Sequence, residues 1–382
     1  MKRHGITPLD RRDRSHIHLR PVSVQSRGVR AEIWLTTHVN DQKGPQPVSR
    51  KVNWGILSTA KIAREYVIPA MQAGEATNVL AIASREEDRA KDLAGKLGIP
   101  KAYGSYEGLL ADPEIEAIYN PLPNHLHAPL TIQALEAGKH VLCEKPIALD
   151  ADEARRIAEA QQNTGLLVAE AFMVRFHPQW QRVREIVRSG KLGEVRAIHT
   201  VFSYFLTDPS NIRNQADIGG GGLYDVGCYA INTARYVFGS EPERVIGLFA
   251  IDPDMKTDRM MSGLAEFADS RHLAFTCATQ LVPCQRVQIL GTIGRIEIEI
   301  PFNAPAGAET TIVFDDGRDL LGSGREVVQV PASNQYTLQS DAFSRAVMGE
   351  HPLEWGASDA VLNMRVIDAF FRSARSHTWE RP

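Results

Sequence analysis

Between Lys51 and Pro146 the chain repeats one pattern: a short apolar run, a break, and a stretch with helical spacing. The apolar runs are Val52–Leu57, Asn78–Ala83, Ile115–Tyr119 and His140–Cys143. Runs of that length without a helical period read as strands buried on both faces, and helices between them make the strand pairing parallel. This alternation restricts the first half of the chain to an open α/β sheet. Such a sheet keeps its ligands beyond the carboxyl ends of its strands, so the residues that follow each run carry the functional information.

Composition sets few further limits. A chain of 382 residues with 43% apolar and 23% charged residues has the size of two globular domains. A formal charge of -3 with no basic face argues against a nucleic-acid partner. The four cysteines form no Cys-x-x-Cys pair, which places the chain in a reducing cytoplasm, and no apolar run is long enough for a membrane span. Residues 1–50 are rich in Arg, His, Pro and Ser and are set aside as a flexible extension. Within them Arg11-Arg12 lacks the apolar region that an export signal would need, and Ala31–Leu35 is an isolated apolar cluster.

The first strand runs into Ser58-Thr59-Ala60, and a helix is expected from Lys61, with Ile62 on its apolar side. Strand, tight turn and helix form the setting in which a glycine-rich dinucleotide fingerprint has meaning. Here Ser58, Ala60 and Ala63 hold the glycine positions, so the fingerprint is degraded, and a plain β-turn-helix fits the spacing equally well. At the end of the second strand stands Ser84-Arg85, where a ribose-binding unit for NAD would carry a carboxylate. A guanidinium there suits a 2′-phosphate and points to NADP(H); a solvated arginine opening the helix Glu86–Leu97 is the competing role. The third strand leads into Asn120-Pro121-Leu122-Pro123-Asn124-His125-Leu126-His127, a loop that delays any helix until about His127. The two histidines lack the third and fourth ligands of a zinc site, so no metal is expected. The fourth strand ends in Glu144-Lys145-Pro146.

After helices at Asp150–Thr164 and Pro178–Gly190 the chain becomes strand-rich. Arg295–Ile300 alternates apolar and charged residues, the pattern of a sheet with one wet face. The domains are therefore read as 51–171, a dinucleotide-binding unit, and 172–382, an α+β unit with an open, mainly antiparallel sheet.

Trp54–Ala63, Asn120–His127, Glu144-Lys145-Pro146 and Gly219–Tyr229 together resemble the Gfo/Idh/MocA oxidoreductases. Glu170–Gln179 and Tyr229 are similar to the branch holding glucose-fructose and aldose-aldose oxidoreductases, NADP-linked xylose dehydrogenase and dihydrodiol dehydrogenases. The resemblance implies a Rossmann domain, a second domain whose sheet covers the active site, and a homodimer or homotetramer built through that sheet. It also implies that the Lys145-Pro146 peptide is cis. NADP(H) is then expected against Ser58, Thr59, Ala60, Lys61 and Ile62, against Ser84, Arg85 and Arg89, and against Asn120, Pro121, Leu122, Pro123, His125, Glu144, Lys145 and Arg175.

Hydride transfer to a carbonyl, or from an alcohol, needs a fixed charge and a proton donor or acceptor at the substrate oxygen. Lys145 is assigned the charge and Tyr229 the proton, the nearby ammonium being expected to bring the phenol toward neutrality. Asp225, four residues earlier on an expected helix from Leu223, would orient the lysine or the substrate. Each has a plainer role open to it: a surface pair with Glu144 or Asp150 for Lys145, core packing for Tyr229, a first-turn acid for Asp225. Arg175 and Asn232 complete the expected substrate-binding set, with Lys145, Asp225 and Tyr229. The sequence thus leads to an NADP-dependent oxidoreductase of an aldose or related cyclic polyol, including the aldose-aldose mode with a retained cofactor. A dihydrodiol dehydrogenase, an anhydro-sugar reductase and a non-catalytic NADP(H)-binding regulator are the alternatives.

Overall fold

The computed structural model describes residues 50–382, so the readings of Arg11-Arg12, of Ala31–Leu35 and of the extension lie outside the described residues. Six parallel strands form the first sheet: β1 (Val52–Leu57), β2 (Thr77–Ala83), β3 (Lys101–Tyr103), β4 (Ala117–Asn120), β5 (His140–Cys143) and β6 (Val168–Glu170). Their order is β3-β2-β1-β4-β5-β6, so the chain reverses direction across the sheet beside β1. That is the Rossmann order, and it opens a crevice between the ends of β1 and β4. Val52, Trp54, Ile56 and Leu57 of β1 are fully buried, as a strand covered on both faces requires. The connections are α1 (Ile68–Gln72), α2 (Glu87–Leu97), α3 (Tyr106–Leu110), α4 (His127–Glu136) and α5 (Ala151–Thr164). Asp150 caps α5 by accepting from the Glu153 amide at 2.7 Å, and Gly165 ends it in the left-handed conformation.

After α6 (Pro178–Arg188) come β7 (Val195–Phe205), α7 (Cys228–Phe238), β8 (Pro242–Ile251), β9 (Asp258–Phe267), β10 (Arg271–Ala278) and β11 (Gln280–Gly291). The strands β12 (Arg295–Ile298), β13 (Thr310–Asp315) and β14 (Arg325–Val330) follow. The second sheet has eight strands in the order β14-β13-β12-β11-β7-β10-β9-β8. It is antiparallel except for β7 with β10. Ile296 and Ile298 are fully buried while Arg295 and Glu297 are only partly covered, so the alternation read from the sequence corresponds to one covered face. The opposite face exposes Leu248 and Leu264. Strands β13 and β14 are short and separated by the segment Asp316–Gly324, so the sequence marks them weakly.

The last two helices, α8 (Gln335–Val347) and α9 (Ala357–Ser376), return to the first sheet. Trp54 of β1 donates from Nε1 to Ser344 Oγ at 3.0 Å and packs its ring 5.5 Å from Phe343. The Asp341 carboxylate accepts from the amides of Glu75 and Ala76 at 3.0 and 2.8 Å, and Asp368 accepts from the Ala151 amide at 2.9 Å. The C-terminal helices therefore fix the first sheet against the rest of the molecule. No helix among the described residues is long and apolar enough to cross a membrane.

Replacing Asp341 by alanine strands two backbone donors at the entry to β2. Urea unfolding should show a loss of about 1–3 kcal/mol; an unchanged midpoint would mean that water replaces the carboxylate at no cost.

Candidate active site

A cavity of about 570 Å³ lies between the carboxyl end of the first sheet and the covered face of the second. Lys145, Asp225 and Tyr229 all line it, together with Glu144, Pro121 and Leu122. Lys145 follows β5 directly, at the strand end where ligands of such sheets gather. The Lys145-Pro146 peptide is cis. The Lys145 ammonium donates to the Asp225 carbonyl oxygen at 2.6 Å and stands 3.5 Å from Asp225 Oδ1. It pairs with neither Glu144 nor Asp150. Both side chains of this pair are more than four-fifths buried. Burial works against the charge on Lys145, but Asp225, Cys228 and Glu144 outweigh it and hold the ammonium above its ordinary value.

Asp225 sits in a π-helical turn, Leu223–Gly227, that leads into α7. Its Oδ2 accepts from the Tyr204 hydroxyl and from Arg213 Nε, the latter at 3.0 Å. Burial would neutralise this carboxyl, yet Arg213, Lys145 and Tyr204 together drive it well below the ordinary carboxylate range. It is therefore held as an anion beside the lysine.

The four glycines before this turn make close contacts possible. Gly221 has φ of 123°, a conformation that L side chains rarely adopt, and a Cβ there would overlap the Asp258 carboxylate. A Cβ on Gly220 would stand 2.7 Å from the carbonyl oxygens of Arg213 and Gln215. Asp258 accepts from the Leu223 amide at 2.7 Å, and burial pushes its carboxyl up to about 7. The run is a packed entry to the turn rather than a flexible linker.

Tyr229 is buried with its ring edge-on to Phe172, at 5.4 Å between centroids, and in contact with Phe202 and Phe302. Its hydroxyl donates to Met173 Sδ at 3.4 Å, and Lys145 Nζ lies 4.9 Å from the ring centroid. The expected lowering of the phenol does not occur. Burial pushes its pKa well above the ordinary value, and the neighbouring Tyr336, Glu144, Cys228 and Asp225 add to the rise. The lysine meets the ring face, where it binds the π-system without drawing off the proton.

The cofactor-side residues divide into three groups. Ser58 holds the first glycine position with φ of 82°, its Oγ accepting from the Ala60 amide at 3.2 Å. A serine in the left-handed region explains why the turn forms without the glycine that the fingerprint requires. Thr59 and Ala60 leave the turn narrow, and the helical run 61–72 presents its first N–H groups beyond it, Ile62 reaching the cavity. Lys61 is exposed and pairs with Glu65. At the end of β2, Ser84 Oγ accepts from the Glu86 amide, Arg85 is exposed and makes no ion pair with a described residue, and Arg89 pairs with Glu86 at 2.8 Å. In the loop after β4, Asn120 is a structural pin: its amide donates to the His127 carbonyl and to Thr131 Oγ1. Pro121 and Leu122 reach the cavity, Pro123 is not among the residues that line it, and the buried His125 Nδ1 has no partner among the described residues. Glu144 accepts from the Tyr119 hydroxyl at 2.7 Å.

Arg175 and Asn232 are not brought to the Lys145 cavity. Arg175 is buried behind Tyr229, donating from Nε to Asn232 Oδ1 at 3.0 Å and from Nη1 to Asp359 Oδ2 at 2.6 Å. It borders a separate cavity of about 240 Å³ beside Trp355. Arg175 thus faces Asp359 of α9, and Asn232 faces Arg175.

Sequence reasoning passed over Tyr204, Arg213, Gln285, Asn303 and Tyr336, all of which line the cavity. Four of them lie on β7, on β11 or in loops without a motif, and only the closed tertiary structure collects them. His127 also lines it, each ring nitrogen 2.7 Å from a carbonyl oxygen, of Pro146 and of Leu122. His177 caps α6, its Nδ1 accepting from the Gln179 amide at 3.1 Å.

Residues 52–172 match the model of the GFO/IDH/MocA oxidoreductase family with an NAD-binding Rossmann fold, and residues 180–297 match the model of the GFO/IDH/MocA C-terminal domain. The chain is 46% identical to an uncharacterized oxidoreductase, ORF334, of Rhizobium meliloti, over 86% of this chain and 98% of that one. It is 40% identical to D-xylose 1-dehydrogenase (NADP(+)) 2 of Haloferax volcanii, over 85% and 97% of the two chains. Among solved structures it is similar to KijD10, a 3-ketoreductase from Actinomadura kijaniata in complex with NADP and TDP-benzene. The TM-score is 0.79 at 31% identity, over 85% of this chain and 98% of that one. KijD10 has also been solved with a lysine replaced by alanine and with a tyrosine replaced by phenylalanine.

Gly221→Ala should lower stability by more than about 1 kcal/mol through backbone strain and overlap with Asp258. The variant should also lose most of any turnover, because the turn that carries Asp225 must move. Thermal unfolding and activity of the same preparation check this, and an intact melting temperature would refute the packed-turn account.

Proposed function

From the premise that the chain belongs to the GFO/IDH/MocA oxidoreductase family, we propose that it is an NADP-dependent dehydrogenase or reductase of a small sugar. The observation that carries this reading is the convergence of the Lys145 ammonium, the ionised Asp225 and the Tyr229 phenol on one cavity. In the relative KijD10 the substituted lysine and tyrosine are separated by the same number of residues as Lys145 and Tyr229, which supports pairing these two side chains.

The residues fit a dinucleotide. The turn Ser58–Ala60 and the first amides of the run 61–72 would hold the pyrophosphate, and Arg85, free of ion pairs with the described residues, would meet a 2′-phosphate. Pro121, Leu122 and Ile62 would flank the nicotinamide at the cavity. When bound, the cofactor supplies or accepts the hydride. Lys145 holds the substrate oxygen by a charge-assisted hydrogen bond and stabilises negative charge as it develops there. Asp225 keeps the ammonium aimed, and itself stays ionised through Arg213 and Tyr204. Tyr229, protonated at rest, gives its proton to that oxygen in reduction; in oxidation it must first release its own proton to solvent before it takes the one from the alcohol. The aromatic wall of Phe172, Phe202 and Phe302 excludes water from the phenol. Of the sugar classes, a free aldose is favoured by the NADP-linked xylose dehydrogenase relative, and hydroxyl groups would meet Arg213, Gln285 and Asn303 at the cavity wall.

Assays of the purified protein with NADP⁺ or NAD⁺ and a panel of aldoses test the reading. Turnover is expected with NADP⁺ and an aldopentose or aldohexose, with Arg85→Asp shifting preference toward NAD⁺. Lys145→Ala and Tyr229→Phe should each lower turnover by roughly 10²–10⁴-fold while NADP⁺ still raises the melting temperature. Parental rates in both variants would remove the assigned roles. Failure of every sugar, with NADP⁺ still bound, would favour the regulator.

The pH dependence has a definite sign. Because the phenol, the ammonium and the Asp225 carboxylate all stay in their working states near neutrality, the rate of carbonyl reduction should remain level from about pH 6 to about pH 9. A phenol lowered by the lysine would instead make reduction fall as pH rises through about 7.

A further inference from the structure

The hydroxyl of Tyr229 is placed by a segment that reaches the cavity only through Met173. Tyr229 touches Met173, and Met173 and Arg175 lie on one 3-10 turn, Met173–Phe176, just after the first sheet ends. Three residues beyond Tyr229 on α7, Asn232 accepts from Arg175 Nε at 3.0 Å. The turn and the helix are thus joined twice, at Tyr229 itself and about one turn further along α7.

Arg175 is in turn held by Asp359, in the first turn of α9. The other oxygen of that carboxylate accepts from Arg235 Nη2 at 2.8 Å, and Arg235 also lies on α7. Arg235 is completed by Glu241, whose two oxygens accept at 2.7 and 2.9 Å. The two guanidinium groups are about 95% buried, so each requires a fixed anion, and Asp359 is the one carboxylate among the described residues that pairs with both. Removing one partner of such a buried pair leaves the other charged and uncompensated.

We propose that Asp359, acting through Arg175 and Asn232, is a positioning residue that holds α7 so that the Tyr229 hydroxyl stays on the substrate oxygen. This rests on the assignment of Tyr229 as proton donor and acceptor. It gives the clamp a role in the chemical step and none in binding: neither Arg175, Asn232 nor Asp359 borders the Lys145 cavity, and the residues expected to flank the cofactor and the sugar lie on other elements. A proton donor displaced by a fraction of an ångström loses rate steeply, whereas substrate affinity, set elsewhere, does not change.

The test compares Asp359→Asn, which keeps the shape but removes the charge, with Asn232→Ala, which cuts the link from Arg175 to α7 and leaves both Asp359 pairs intact. The native chain and Tyr229→Phe are run in parallel on whichever aldose the native chain turns over. Both clamp variants should show kcat lowered by roughly 10- to 100-fold, with KM for the sugar and Kd for NADPH unchanged. Asp359→Glu should recover part of the loss. A parental kcat in folded Asn232→Ala overturns the proposal, as does a raised KM with kcat intact, which would place Arg175 on the substrate. If Asp359→Asn fails to fold, Asn232→Ala alone decides between these outcomes. A native chain that turns over no sugar, or a Tyr229→Phe variant as fast as the native chain, defeats the functional reading instead, and the two failures are thereby told apart.

Discussion

The two halves of the molecule meet chemically at the bond from the Lys145 ammonium to Asp225. Lys145 stands at the end of a strand of the first sheet, and Asp225 in the turn that opens α7 beneath the second. Burial works against both charges, and it is opposed at Lys145 by Asp225 and at Asp225 by Arg213 and Lys145. The Lys145 charge is held by Asp225 of the other half, and the Asp225 charge first by Arg213 of its own half and then by Lys145. The glycine run, the capping Asp258 and the C-terminal helices that lock the first sheet all serve to bring these two elements to that distance.

The same burial that sustains the ion pair decides the state of the tyrosine. An ammonium near a phenol lowers its pKa when the two share a polar setting, but here the ring is enclosed by Phe172, Phe202 and Phe302 and the lysine meets its face. Desolvation is the larger effect, and the phenol remains protonated. The sequence shows which two residues come together; the sign of their coupling depends on the approach geometry and on aromatic neighbours that arrive from three other parts of the chain.

What the sequence made legible follows from local physics. The four apolar runs became β1, β2, β4 and β5 because strands covered on both faces must be apolar throughout, and Lys145 was found because it follows one of them. Ser58 was half hidden: a serine at positive φ carries no sequence mark that distinguishes it from an ordinary turn residue. Polar residues such as Arg175 and Asn232 near a motif suggest contact with substrate, whereas the fold buries Arg175 against Asp359 and joins it to Asn232, which spacing does not reveal. Tyr204, Arg213 and Asp359 could not be found by spacing at all. They come from a strand interior, an irregular loop and a helix 134 positions beyond Asp225, and only the closed fold gives them a common neighbourhood.

The central claim is that hydride leaves or enters a sugar carbon while Tyr229 handles the proton on its oxygen. The most direct measurement is isotope transfer in a single turnover, with an aldose deuterated at C1, NADP⁺ and the protein in excess over both. The account predicts that the deuterium appears on the nicotinamide ring in the native chain, and that Tyr229→Phe, though it binds NADP⁺, transfers it far more slowly. Reduced cofactor that carries no deuterium, or equal transfer in the tyrosine variant, would contradict it.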